Sequence, residues 1–183
     1  LFRSVSVGGI SGAMSSSPDA QSMASITKVV TALVVLDEMP LAPGEQGPEF
    51  RFGFSDRAAY WNYRANGESA LDVPVGGTLT EYQLLQGMLI GSANNSADRL
   101  AGNLWPTDAV YASAANAWLT SHGVTGIRVV DPAGIERGNT ASAEALLVLA
   151  QKALANPVIA GIVATKAVNL PGAGNAVNTN GLL

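Results

Sequence analysis

The longest apolar run in the chain, Ala24 to Asp37, reads Ala-Ser-Ile-Thr-Lys-Val-Val-Thr-Ala-Leu-Val-Val-Leu-Asp and carries one cation, Lys28. A helix through Ile26 to Met39 would be apolar nearly all round, which marks a buried helix rather than one with a wet face. Pro40 stops it. Ahead of this helix, Arg3 to Val7 alternates polar and apolar, Gly8-Gly9 offers a two-residue turn and Ile10 to Met14 continues the pattern, so a β-hairpin is expected there. Ser15 to Gln21 is read as a loop that delivers the chain to Ser25.

After Pro40 the run from Leu41 to Pro48 is a turn-rich connector. Phe50, Phe52 and Phe54 alternate as a short strand would, and Tyr60, Trp61 and Tyr63 follow in a more irregular stretch. These aromatics suit either a binding rim or a satellite core under a long loop. Thr80-Glu-Tyr-Gln83 has the form of a capping box and opens a helix through Leu84, Leu85, Met88 and Leu89. Gly91 to Asn95 breaks it, and a second helix is expected from near Ser96 to about Leu104, with Pro106 beyond. Thr107 caps a further helix that runs to His122 and stops at Gly123. Ile127 to Val130 is a short extended piece and Asp131-Pro-Ala-Gly134 a turn. Ser142 opens a helix closed by Asn156, Pro157 starts one more, and Ala167 to Leu170 is extended.

Composition narrows the functional classes. At 183 residues, 48% hydrophobic and 13% charged, the chain has material for a real core and is not a disordered segment. A net charge of −4 without a Lys/Arg cluster argues against nucleic acid as a partner, because phosphate binding needs a basic face. No apolar run reaches bilayer length. Cysteine is absent and histidine occurs once, at position 122, so thiolate chemistry, histidine-rich metal sites and disulfides are excluded, and no metal or other cofactor is expected. His122 stands where a histidine caps a helix C-terminal dipole, a role at least as natural there as that of a catalytic base.

Candidate chemistry lies at the entry to the apolar helix. Ser25 and Lys28 are spaced i and i+3 and share a face. A serine hydroxyl is a weak nucleophile until a base takes its proton, and lysine becomes a base when burial destabilises its ammonium. The helix N-terminus adds N–H groups and a positive dipole end toward an oxyanion at Ser25. An ordinary helix start, with Ser25 as N-cap and Lys28 snorkelling to water, fits the same spacing.

Several motifs occur together and in order: Ser25-Ile-Thr-Lys28, the inter-helical Ser92-Ala-Asn94, Asp131-Pro-Ala-Gly134 and Asn178-Thr-Asn180-Gly-Leu-Leu. With Leu-Leu-Gln-Gly-Met-Leu-Ile-Gly-Ser-Ala-Asn-Asn-Ser-Ala-Asp-Arg-Leu-Ala around the second, the chain resembles the serine D-alanyl-D-alanine carboxypeptidases, the low-molecular-weight penicillin-binding proteins of the serine β-lactamase-like group. The resemblance implies an α+β fold in which a helical region packs on an antiparallel sheet, and a single transpeptidase-like domain over residues 1–183. It implies Ser25 as the acylated nucleophile, Lys28 as its proton acceptor, Ser92 as a proton relay to the leaving group and Asn94 as a side chain that hydrogen-bonds substrate backbone. On its own the Ser92 to Asn94 segment would pass as an ordinary turn. The implied substrate is a peptidoglycan stem peptide, the implied inhibitors are β-lactam antibiotics, and the implied location is extracytoplasmic.

The chain departs from the family at its end. The third family motif, Lys-Thr-Gly on a strand beside the nucleophile, does not occur, and Lys166 is followed by Ala167-Val168. The expectation is therefore a domain whose C-terminal strands are missing from this chain and are supplied by other residues, its own C-terminal portion as a separate chain among them. Two other readings share these motifs. A β-lactamase of the same fold would need a base for fast deacylation, for which Glu136-Arg-Gly-Asn139 is the nearby acidic and amide segment. A non-catalytic relative would hold peptidoglycan without turnover.

Overall fold

A computed structural model describes residues 4–5, 14–15 and 19–180. Strand β1 (Ser4–Val5) pairs antiparallel with β2 (Met14–Ser15), Ser4 opposite Ser15. The expected hairpin is met as an antiparallel pair but not in register: Val5 stands opposite Met14, whereas a two-residue Gly8-Gly9 turn would set it opposite Gly12, and the turn itself lies outside the described residues. Strand β3 (Gln21–Ser22) then leads through a 3-10 turn (Ala24–Ile26) into α1 (Thr27–Glu38).

Helix α1 is the axis of the molecule. Thr27, Lys28 and every residue from Val30 to Leu36 are buried, as the unbroken apolar pattern requires. It packs against α3 (Glu81–Ile90), α4 (Asn94–Leu104), α5 (Asp108–Ser121) and α6 (Ala143–Ala155). A polar tie crosses this apolar bundle. Thr31 Oγ1 lies 2.7 Å from the Pro132 carbonyl and 2.7 Å from the Tyr111 hydroxyl. The carbonyl can only accept, so Thr31 donates to Pro132 and Tyr111 donates to Thr31. The tie joins α1, α5 and the loop after β6 (Ile127–Arg128).

The strands form small antiparallel sheets around this bundle: the β1 and β2 pair, β4 (Glu49–Arg51) with β5 (Thr78–Thr80), a three-stranded sheet in the order β3-β7-β6 with β7 at Thr140–Ala141, and β8 (Ala167–Leu170) with β9 (Gly174–Val177). The α+β class is as expected. Helix α7 (Pro157–Val163) packs on α3 and α6. The Thr80 capping box is formed: Thr80 Oγ1 accepts from the Gln83 N–H at 3.2 Å, and Gln83 Oε1 accepts from the Thr80 N–H at 2.9 Å.

Three local expectations change. Tyr60, Trp61 and Tyr63 are not in an irregular stretch but in helix α2 (Phe54–Ala65), which Phe54 opens with its ring exposed while Phe50 and Phe52 are buried. Tertiary support overrides the aromatic pattern here: Tyr60 packs into the core, Trp61 stays exposed, and the Tyr63 hydroxyl donates to Asp98 on α4. Helix α4 begins at Asn94 rather than near Ser96, because Asn94 and Asn95 are drawn into backbone pairings with the segment after α2. Finally, β9 forms the far arm of a hairpin for which the expected Ala167 to Leu170 strand is only the near one.

The segment after α2 is fastened to α4 like an extra strand. The Asn94 N–H donates to the Ser69 carbonyl at 2.8 Å. Asn95 imitates a peptide group: its Oδ1 accepts from the Leu71 N–H and its Nδ2 donates to the Leu71 carbonyl, both at 2.9 Å. Leu71 comes close to α3 because position 87 is glycine; a Cβ there would stand 2.3 Å from Leu71 Cδ1. Asn95→Ala would leave a buried donor and a buried acceptor of Leu71 unpaired, and is expected to lower unfolding free energy by about 2–4 kcal/mol in urea denaturation with the m-value unchanged.

Candidate active site

Ser25 sits in the 3-10 turn just ahead of α1, exposed, while Lys28 one turn on is only 2% exposed. The geometry before the serine is unusual. Ala24 has φ +45°, a left-handed conformation that costs a non-glycine residue on the order of 1 kcal/mol or more. It is held there from both sides. The buried Met23 donates its N–H to the Asn139 carbonyl at 3.0 Å, and Gly134, itself at φ +79°, lies so close that a Cβ would stand 2.1 Å from the Ala24 oxygen.

Lys28 Nζ donates to Ser25 Oγ at 3.1 Å and to the Ala133 carbonyl at 2.7 Å. Burial lowers its pKa from the ordinary 10.5 to about 8, and the negative charges of Asp131, Asp98 and Glu68 limit the fall. About a tenth of such lysines are neutral at pH 7, against a few in ten thousand for an unperturbed one. Once Nζ loses a proton, the same 3.1 Å contact can reverse, with Oγ–H donating to Nζ.

The Ala133 carbonyl is placed by a loop built on one carboxylate. Asp131 Oδ1 accepts from the N–H groups of Ala133, Gly134 and Ile135 at 2.9, 2.6 and 3.1 Å, and Oδ2 accepts from Glu136 N–H at 2.8 Å and from Asn139 Nδ2. Asn139, fully buried, also accepts from the Val130 N–H at 2.9 Å through Oδ1. The Asp131 to Gly134 turn is therefore as expected. Asn139 is committed to holding Asp131, and Glu136 is exposed and not among the cleft-lining residues.

Ser92 joins α3 to α4 with φ +55°, a second left-handed non-glycine residue. It lines a cleft of about 300 Å³ together with Ser25, Asn94, Glu68, Ser69 and Gly134. Three of the four candidate residues, Ser25, Ser92 and Asn94, thus face one cavity, and Lys28 supports it from below through Ser25. Asn94 is 4% exposed and its Nδ2 donates to Glu68 Oε2 at 3.3 Å. His122 lies outside the cleft-lining residues. It ends α5, stacked on Trp118 with ring centroids 4.0 Å apart and Nδ1 2.9 Å from the Trp118 carbonyl.

Sequence reasoning missed Glu68, the Tyr63 to Asp98 contact and the Ala133 carbonyl. Glu68 lies in Gly-Glu-Ser-Ala, a segment without periodicity, and Ala133 acts through its backbone, which no residue type reveals. Asp98 was legible only as one turn beyond Asn94; burial raises its pKa to about 6.

The Lys28 shift has a sign in stability. Between pH 8 and 10.5 the unfolded chain keeps the Lys28 proton while the folded chain loses it, so the unfolded state binds more protons and stability rises with pH. The cost of the buried ammonium is present in full below pH 8. Relative to Lys28→Met, the chain is expected to gain up to about 3 kcal/mol across that window in urea titrations, the difference cancelling the opposing titration of Tyr63 and Tyr111.

Comparison with known proteins gives this geometry its context. Residues 14–183 match the D-alanyl-D-alanine carboxypeptidase family, peptidase family S11. The D-alanyl-D-alanine carboxypeptidase DacB2 of Mycobacterium tuberculosis is 34% identical over 151 residues, which are 81% of this chain and 47% of that protein. The crystal structure of a D-alanyl-D-alanine carboxypeptidase from the same organism superposes with a TM-score of 0.77 at 30% identity, covering 94% of this chain and 62% of the other. The Streptomyces K15 DD-transpeptidase superposes with a TM-score of 0.76 at 23% identity, over 90% of this chain and 67% of that one, and shares the fold. The chain thus spans about half the length of the curated relative, and it carries the family's penicillin-binding-protein fold around the Ser25 to Lys28 pair. The chain belongs to the D-alanyl-D-alanine carboxypeptidase family.

Proposed function

We propose that the protein carrying this chain is a serine-type D-Ala-D-Ala carboxypeptidase that removes the terminal D-alanine of peptidoglycan stem peptides and is acylated by β-lactams, working outside the cytoplasm where that substrate lies. The observation that carries this reading is the exposed Ser25 Oγ 3.1 Å from the Nζ of a buried Lys28 whose pKa is about 8. A nucleophile, a base with usable basicity and a cleft open to solvent meet at one point.

Neutral Lys28 takes the Ser25 proton as the Oγ–C bond forms at the penultimate D-alanine carbonyl. The oxyanion develops at the start of α1, where N–H groups and the positive end of the helix dipole face it. Collapse breaks the C–N bond, the leaving amine receives the proton from Lys28 through Ser92, and water then cleaves the Ser25 ester to release the shortened peptide and restore the hydroxyl. Asn94, whose amide donates and accepts, holds the peptide unit preceding the scissile bond. A β-lactam enters the same first step, but its leaving group stays tethered to the acyl-enzyme.

Ser25→Ala is expected to abolish covalent labelling by a fluorescent penicillin while leaving the protein folded, with its thermal midpoint lowered by several degrees because the buried Lys28 ammonium loses one of its two acceptors. Labelling that survived would remove Ser25 as nucleophile. A label shed within seconds would instead point to a β-lactamase, and none on the parent protein to a binding relative.

Lys28→Arg should acylate more than about tenfold slower than the parent, a barrier increase above ~1.4 kcal/mol, because a guanidinium keeps its charge and cannot accept the proton. In the parent the acylation rate should climb with pH and level off above about 8, as neutral Lys28 accumulates. A pH-independent rate would make Lys28 a fixed cation.

A further inference from the structure

Glu68 is the one charged side chain among the described residues that line the cleft. It is fixed in place at both ends. Its N–H donates to the Tyr63 carbonyl at 2.9 Å, closing the turn after α2, and its Oε2 accepts from Asn94 Nδ2 at 3.3 Å. A carboxylate only accepts, so it faces the NH2 end of the Asn94 amide and leaves Oδ1 and the second N–H for a ligand. The ion pairs among the described residues are Arg57 with Asp72 and Arg99 with Asp56, and neither neutralises Glu68.

We propose, resting on the acyl-transfer reading above, that Glu68 is a specificity-determining residue: it makes the site favour acyl donors that carry a positive charge at the carbon flanking the amide held by Asn94, one residue before the scissile carbonyl, over donors that carry a negative one there. The argument is one of adjacency and sign. If Asn94 holds the peptide unit on the N-terminal side of the penultimate D-alanine, the residue that supplies the carbonyl of that unit passes the carboxylate to which Asn94 is bonded. Glu68 is half-buried, so its field is less screened than that of a surface acid, and the buried Lys28 ammonium on which it acts is also acted on by Asp98 and Asp131, so the acids around that one cation outnumber it. Discrimination arises as much from repelling the wrong charge as from attracting the right one.

Two penicillins with one nucleus and opposite side-chain charges test this. Ampicillin carries an ammonium and carbenicillin a carboxylate at the carbon next to the side-chain amide, and about pH 6.5 keeps the amine protonated. The second-order acylation constants of both are measured on the whole protein and on Glu68→Gln and Glu68→Lys, and the ampicillin-to-carbenicillin ratio is compared between proteins so that intrinsic reactivity cancels. The ratio should fall about fivefold in Glu68→Gln and further in Glu68→Lys, with half-molar salt shrinking the differences. A ratio indifferent to residue 68, or both drugs slowed equally, would assign Glu68 a structural role and overturn the proposal while leaving acyl transfer intact. Acylation of the parent by neither drug would instead refute the acyl-transfer reading, and this proposal with it.

Discussion

Enclosing the ammonium of Lys28 at the end of an apolar helix is unfavourable, and the surrounding structure is arranged to meet that cost. The helix is held by contact with four others, so the lysine cannot swing out without breaking the core around Val30 to Leu36. What the ammonium receives instead of water is the Ser25 hydroxyl and the Ala133 carbonyl. That substitution is incomplete, and the shortfall appears as a pKa near 8, the property that the proposed role of Lys28 as a base requires.

The Ala133 carbonyl can play this part only because its loop is rigid. Asp131 gathers four successive N–H groups, from Ala133 to Glu136, and Asn139 clamps the carboxylate in turn. The Thr31 hydroxyl ties the neighbouring Pro132 carbonyl to α1 itself, so loop and helix move as one body. The same Asn139 anchors Met23 through its backbone, and Gly134 leaves just enough room for the Ala24 carbonyl. One loop therefore sets both the environment of the lysine and the strained approach of the serine. Ala24 and Ser92, the two left-handed non-glycine residues among those described, both line the cleft although they lie far apart in sequence, and such strain persists only where the surroundings over-determine it.

The third wall of the cleft comes from the segment after α2. It is bound to α4 by Asn94 and Asn95, so a single helix start provides both a side chain facing the cleft and the fastening of the wall that carries Glu68. Tyr63 and Asp98 add a tie between α2 itself and α4. The motif resemblance singled out the serine, the lysine and the inter-helical turn; the acidic wall is a property read from this chain's own geometry.

The local sequence by itself determined the elements whose signals are local. The unbroken apolar run predicted the buried α1, Thr80 and Gln83 the capping box, Thr107 and Ser142 their helix starts, and Asp131-Pro-Ala-Gly134 its turn, because each depends on residues within one or two helical turns. The motif set around Ser25, Lys28, Ser92 and Asn94 was legible too, as a resemblance, and Ser25 with Lys28 also by spacing. The tertiary structure alone decided that Lys28 loses its water, since that depends on Ala133 more than a hundred residues away. It also decided that Tyr60 to Tyr63 lie on a helix, that α4 starts at Asn94 and that Glu68 enters the cleft. In each case the deciding partner is a backbone carbonyl, a carboxylate or an amide distant in sequence. Hydrogen bonds to such partners leave no periodicity in the chain, and desolvation exists only once the chain is packed.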